Sequence, residues 1–155
     1  MKQFILFWIL CSLSIFNLIG QGLDEERRSL SMLIERMYNN EPFEGCRLLD
    51  DYDHSYLINI VTLDKTKYAN KQAMNRVAQV KSQRSAGEFL NGTQSFSEFI
   101  IKTSKSEEKG VNTTMTETLE VIKTNTTGFV QQMQVLSAFD GDDNTRVFVF
   151  YKELK

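Results

Sequence analysis

An α+β fold is predicted by three features of this 155-residue sequence: an apolar helical stripe near its start, a long Pro-free stretch from Asp64 to Leu90, and a change to period-two alternation from Ser95 onward. Together they specify a curved antiparallel sheet with one long helix packed across it, preceded by an N-terminal amphipathic helix. Helix, hairpin, long helix and strands follow in that order without internal repeats.

Ahead of this fold, residues 1–22 read as a removable export signal. Lys2 supplies the positive start, Phe4 to Leu10 open an apolar run, and Leu13, Ile15, Phe16, Leu18 and Ile19 continue it. Gly20-Gln21-Gly22 offers small residues where a signal peptidase inspects the chain. A retained transmembrane anchor is the rival reading, because an apolar stretch near 18 residues, roughly, sits between the two classes. Ser12, Ser14 and Asn17 interrupt the run and favour cleavage, and Trp8-Ile9-Leu10 lacks the small residues of a lipid-attachment site at Cys11. The expected location is periplasmic or extracellular, with no membrane span after cleavage. Residues 23–44 then form an N-terminal helix and linker, and residues 45–155 a single α+β domain.

Asp24 can cap the first helix, with Glu25 and Glu26 at the positive end of its dipole. Leu23, Leu30, Leu33, Ile34 and Met37 share one face, and Asn39-Asn40 and Pro42 close the helix. Gly45 to Leu63 reads as two strands around the turn Asp50-Asp51-Tyr52-Asp53-His54. The second strand is apolar on both sides, through Tyr56, Ile58 and Ile60 on one and Leu57, Val61 and Leu63 on the other. That pattern marks a central strand. In the long helix, capped by Asp64, small and medium residues (Ala69, Ala73, Val77, Val80, Met74, Ala78) permit close approach to a sheet, and Asn91-Gly92 ends it.

Beyond Ser95, Phe99, Ile101 and Thr103 alternate with Phe96 and Ile100. After a surface loop from Ser104 to Asn112, Met115, Leu119 and Val121 face one way and Thr114, Thr116, Thr118 and Thr124 the other. This predicts strands with one wet face. Phe129 to Phe139 and Thr145 to Tyr151 form the final pair.

SYLINIVTL, then YANKQAMNRVAQV, TLEVIKT, GFVQQMQVLSAF and RVFVFYKEL resemble the dodecin-like helix-on-sheet domains of certain bacterial envelope lipoproteins and periplasmic flagellar-assembly proteins. FDGDDNTRVFVFYKEL is similar to their final hairpin, and the resemblance spans Gly45 to Leu154. It implies an envelope assembly or binding role and carries no catalytic residue across.

The chemistry legible in the sequence is sparse. Net charge is −2 and no basic block stands out, so nucleic acid binding has no electrostatic footprint. Of the two cysteines only Cys46 survives cleavage; it reads as a small buried apolar side chain, with an intermolecular disulfide as the sharper alternative. The sole histidine, His54, could join Asp50, Asp51 and Asp53 in a mixed nitrogen and oxygen metal site. A solvated turn is the simpler reading. Asp140, Asp142 and Asn144 fall at calcium-loop spacing, but the sixth and twelfth positions are Thr145 and Tyr151, not Gly and Glu. A hairpin turn between strands accounts for them.

Glu117 and Glu120 could serve as an acid and base pair, but on a strand they would point to opposite faces, and ordinary surface charge is the simpler reading. Phe148, Phe150 and Tyr151 read as core or as a partner surface. Asn91, Asn112 and Asn125 begin Asn-x-Thr triplets, which matter only in a glycosylating host. No nucleophile motif or phosphate loop occurs. The expectation is an exported, small, non-catalytic binding or assembly module of the bacterial cell envelope or periplasm, with a protein partner or self-association and no cofactor. The alternative is a metal-binding protein or metal-dependent hydrolase using His54 and its neighbouring aspartates.

Overall fold

Two adjacent hairpins built from strongly apolar strands organise the domain. The computed structural model describes residues 25–51, 54–92, 96–102, 111–142 and 144–154. The predicted export signal, the Asp24 cap, Asp53 and most of the Ser104–Asn112 loop lie outside them. The chain divides into two units, Met1–Pro42 and Phe43–Lys155.

In the first unit, α1 covers residues 25–40. Leu30 and Ile34 are buried, Leu33 and Met37 are half-buried, and Met32 is exposed. From Leu30 to Met37 the apolar stripe expected from the sequence is thus the less exposed face of this helix, and Leu23 lies outside the described residues.

In the second unit, β1 (Gly45–Asp51) and β2 (His54–Asp64) pair antiparallel, with Leu48 opposite Leu57 and Asp51 opposite His54. On its other side β2 pairs antiparallel with β5 (Thr145–Leu154), in register from Ser55 opposite Leu154 to Asp64 opposite Thr145. β4 (Gln134–Asp140) follows β5, with a register shift between Val135 and Ser137 that leaves Leu136 as a bulge. The five-stranded order is β3-β1-β2-β5-β4, so β2 is the central strand that its two-sided apolar pattern predicts. The sheet is mixed, not wholly antiparallel: β3 (Ile100–Lys102) runs parallel to β1, with Leu48 opposite Ile100. A helix intervenes between the first hairpin and β3, the kind of crossover that a parallel pairing requires.

That helix, α2 (Lys71–Gly92), starts later than the sequence suggests. Asp64 ends β2 and instead caps a single 3-10 turn over Lys65–Lys67, its side chain accepting from the Thr66 amide. Asn70 caps α2 itself: its Oδ1 accepts from the Ala73 amide at 2.8 Å. Met74, Ala78, Ser82, Ala86 and Leu90 form the buried stripe, spaced by four. Ala69 precedes the helix, and Val80, expected on the packed face, is 64% exposed.

The largest departure lies between residues 111 and 131. The Thr-rich stretch expected as a strand is helix α3 (Val111–Lys123), and α4 (Thr126–Gln131) occupies the start of the segment expected to run as a strand from Phe129. Asn125 caps α4 by accepting from the Gly128 amide. The threonines therefore do not form a wet sheet face.

One core joins the helices to the sheet through Leu48, Leu57, Val61, Phe148 and Phe150 from the strands and Ala78, Ala86, Leu90, Leu119 and Val130 from the helices. Each fully buried Leu, Val or Phe among them contributes about 1.5–3 kcal/mol relative to exposure. Leu49, Ile58, Ile60, Val147 and Val149 alternate with these residues along the strands and are buried as well.

Candidate functional site

At the β1–β2 turn, pairing decides which of the expected metal ligands meet. Asp51 stands opposite His54 and shares its side of the hairpin, while Asp50 stands opposite Ser55 and faces the other way. Asp50 is buried and its Oδ1 accepts from Ser55 Oγ at 3.3 Å. His54 Nδ1 lies 2.8 Å from Glu153 Oε1, with the imidazole side chain 46% exposed. Its ring stacks on Tyr56 at 6.1 Å, and Tyr56 contacts Tyr151 at 6.3 Å. Glu153, absent from the sequence-based ligand set, thus holds the imidazole. Strand pairing brings it there from 99 residues away. Among the described residues, no three His, Cys, Asp or Glu side chains are gathered as a metal site.

The β4–β5 turn is built as a hairpin clasp. Asn144 has φ 61°, a left-handed conformation that Asn tolerates. The Asp142 carbonyl accepts from the Thr145 amide and from Thr145 Oγ1. Asp140 Oδ1 is 2.7 Å from Arg146 Nη1 and 3.2 Å from Lys65 Nζ. Those bonds, the one from Arg146 first, hold the Asp140 carboxyl below its ordinary value. The Lys65 amide donates to the Asn144 carbonyl at 3.0 Å, tying the turn to the 3-10 segment. The calcium-spaced residues therefore have structural partners.

Cys46 is buried, with Sγ 3.9 Å from Ser85 Oγ, and burial pushes its thiol up to about 12. It remains a neutral thiol at physiological pH and is a poor nucleophile. Beside it, Asn59 Nδ2 donates to the Ser82 carbonyl and to Ser82 Oγ, pinning the middle of α2 to β2. A surface groove of 310 Å³ lies alongside, with Gly45, Val61 and Thr62 on one wall and Arg84, Ser85 and Glu88 on the other. Gly45, at φ 86°, turns the chain into β1 there.

Glu117 and Glu120 are exposed on α3, three residues apart, and so are neighbours rather than on opposite faces. Glu120 pairs with Lys123 at 2.8 Å. Phe148 and Phe150 are core residues, their rings 6.5 Å apart. Asn91 is exposed and its Oδ1 accepts from Thr126 Oγ1, Asn125 caps α4, and Asn112 lies in α3.

A chain of ring contacts went unread in the sequence. The Arg47 guanidinium sits 5.3 Å from the Phe43 ring and 5.6 Å from that of Phe99. Phe89 meets Phe99 edge-on at 5.3 Å and Phe96 at 5.5 Å, and Lys123 lies 4.7 Å from Phe96. The stack fastens the 3-10 turn before β3 to β1. No local period encodes it.

β4, one of the two end strands of the described sheet, offers a different kind of surface. Within the described sheet β4 has a strand neighbour only in β5, and Gln134 and Val135 are exposed at its start, Val135 to 45%. The Leu136 bulge and the Arg146 Nη2 donor on the Ala138 carbonyl, at 3.0 Å, limit indiscriminate pairing along the rest of the strand. Comparison of the chain with family models, curated proteins and solved structures gave no match. Among the described residues no helix is long and apolar enough to cross a membrane.

Proposed function

We propose that this chain is an exported, non-catalytic binding or assembly module of the bacterial cell envelope or periplasm, acting through its β4 edge. The single observation that carries the reading is that β4 ends the described sheet with Val135 exposed at its start, and a sheet edge is where a further strand can be added. The apolar opening of the sequence supports export, and the resemblance to dodecin-like domains supports an assembly role. On this reading α2 is the long helix laid across a curved sheet, and the hairpins hold the edge rigid.

Light scattering after size exclusion, run across a concentration series, tests it. Concentration-dependent association that Val135→Lys abolishes is the expected result, because a charge at an edge strand opposes pairing. A strict monomer indifferent to the substitution would remove the β4 edge from consideration.

A further inference from the structure

Hydrogen bonds at the hairpin ends fix which backbone groups of β4 face the edge of the sheet. The Lys65 amide donates to the Asn144 carbonyl, and bonded pairs alternate along β2 and β5, so Arg146, Phe148 and Phe150 bond towards β2. Their partners on β4 are Asp140, Ala138 and Val135, which therefore turn their amides and carbonyls away from β5, to the edge. The Gly141 amide, donating to the Thr145 carbonyl, gives the same phase from the β4 side.

The two halves of that edge differ. Arg146 stands opposite Asp140 and shares a face with it and with Ala138. Its guanidinium reaches across β4: Nη1 donates to Asp140 Oδ1 at 2.7 Å and Nη2 to the outward Ala138 carbonyl at 3.0 Å. The same fork could grip the carboxylate with both arms, yet one arm goes to an edge carbonyl. Alanine at 138 is small enough to let the arginine pass, and the Arg146 side chain is only 24% exposed. Lys65, 3.2 Å from the same Asp140 oxygen, adds a second cation beside this half of the strand. Val135 lies on the other side of the Leu136 bulge with its side chain exposed.

We propose that Arg146 is an autoinhibitory contact, which closes the Ala138–Asp140 half of the β4 edge to strand addition and leaves the Val135 end open. A strand arriving at Ala138 finds the carbonyl already bonded. To pair there it must displace a charged donor and offer a neutral amide in exchange, a weaker bond. Asp140 is the positioning residue, because its carboxylate holds the guanidinium across the strand. The inference rests on the reading of β4 as the acting edge, and adds where along β4 pairing is allowed.

The test compares the full chain with Arg146→Ala, and with Arg146→Thr where alanine does not fold, by light scattering after size exclusion over a concentration series. Association through any other surface is common to parent and variant. The variant should associate at a concentration about tenfold lower than the parent or less, the equivalent of one charge-assisted bond that no longer has to break. Adding Ala138→Pro should return it to the parent's behaviour, because proline removes the outward amide and leaves the bonds that neighbouring residues make to β5. Equal association of parent and arginine variant overturns the proposal, as does extra association that survives Ala138→Pro. Val135→Lys keeps the two readings apart. A monomeric parent that Val135→Lys leaves unchanged defeats the Val135 end as the acting surface, while loss of Arg146 still opens the Ala138 half. A parent whose association Val135→Lys abolishes, but which Arg146→Ala leaves as it was, upholds the edge and sinks the arginine contact.

Discussion

Asn59 Nδ2 donates to the Ser82 carbonyl oxygen at 2.9 Å and to Ser82 Oγ at 3.2 Å, across an interface where both residues are wholly buried. A central strand and a helix that otherwise meet through apolar side chains are thereby fixed in register. Asn59→Ala should cost about 1–3 kcal/mol, because the strand-to-helix bonds go and a cavity remains. Ser82→Ala should cost less than about 1 kcal/mol, since the bond to the carbonyl persists. Urea denaturation of the two variants should rank them in that order, and equal midpoints would show that the pair adds nothing beyond packing.

The clasp at the β4–β5 turn makes a pH-dependent prediction. Asp140 has its carboxyl lowered by the Arg146 bond first and the Lys65 bond second, and Asp64 has its own lowered by its bonds from Thr66. A lowered carboxyl contributes stability that is present above its unfolded value and is lost as pH falls through its folded value. Asp140→Asn should therefore melt below the parent at neutral pH. The difference should be small, because the group is exposed, and should close as pH falls through the lowered folded value. A gap that stays constant with pH would mean that the carboxylate charge is irrelevant.

Cys46 tests burial directly. With its thiol pushed up to about 12, the folded state holds its proton through the range in which the unfolded thiol ionises. Folding stability should consequently fall as pH rises past the ordinary thiol value. In a Cys11→Ser background, reaction with a disulfide reagent at neutral pH should be about a thousandfold slower folded than unfolded, from thiolate fraction alone. Rapid native labelling, or a disulfide-linked dimer on a non-reducing gel, would restore the intermolecular disulfide considered from the sequence.

Where local pattern has only one physical meaning, the fold is legible. Apolar residues on both sides of Tyr56–Leu63 place β2 at the centre of the sheet, and Asp-Gly between two alternating strands makes a turn at Gly141–Asn144. Distant partners leave no such trace. Glu153 holding His54, Arg47 between Phe43 and Phe99, and Asn59 under Ser82 join side chains that strand pairing and the placement of α2 bring together. The parallel β3 is three residues long, too short for its alternation to reveal direction.

Residues 111–123 form a helix rather than the expected strand for a sharper reason. Met115 and Leu119 are four apart, a spacing common to a strand face and a helix face. Val121 and Ile122 decide between them. A strand places Val121 beside Leu119, whereas a helix places Ile122 beside it. The structure leaves Val121 69% exposed and packs Ile122 against the core. β-rich threonines tip propensity towards the strand, but packing of Leu119 and Ile122 outweighs a preference of that size. Val121→Lys should thus change stability by no more than about 0.5 kcal/mol. Ile122→Ala should cost about 1–3 kcal/mol, somewhat under the value for a fully buried site. Thermal melts of the two variants would reverse in rank if residues 111–123 formed a strand with Val121 inward.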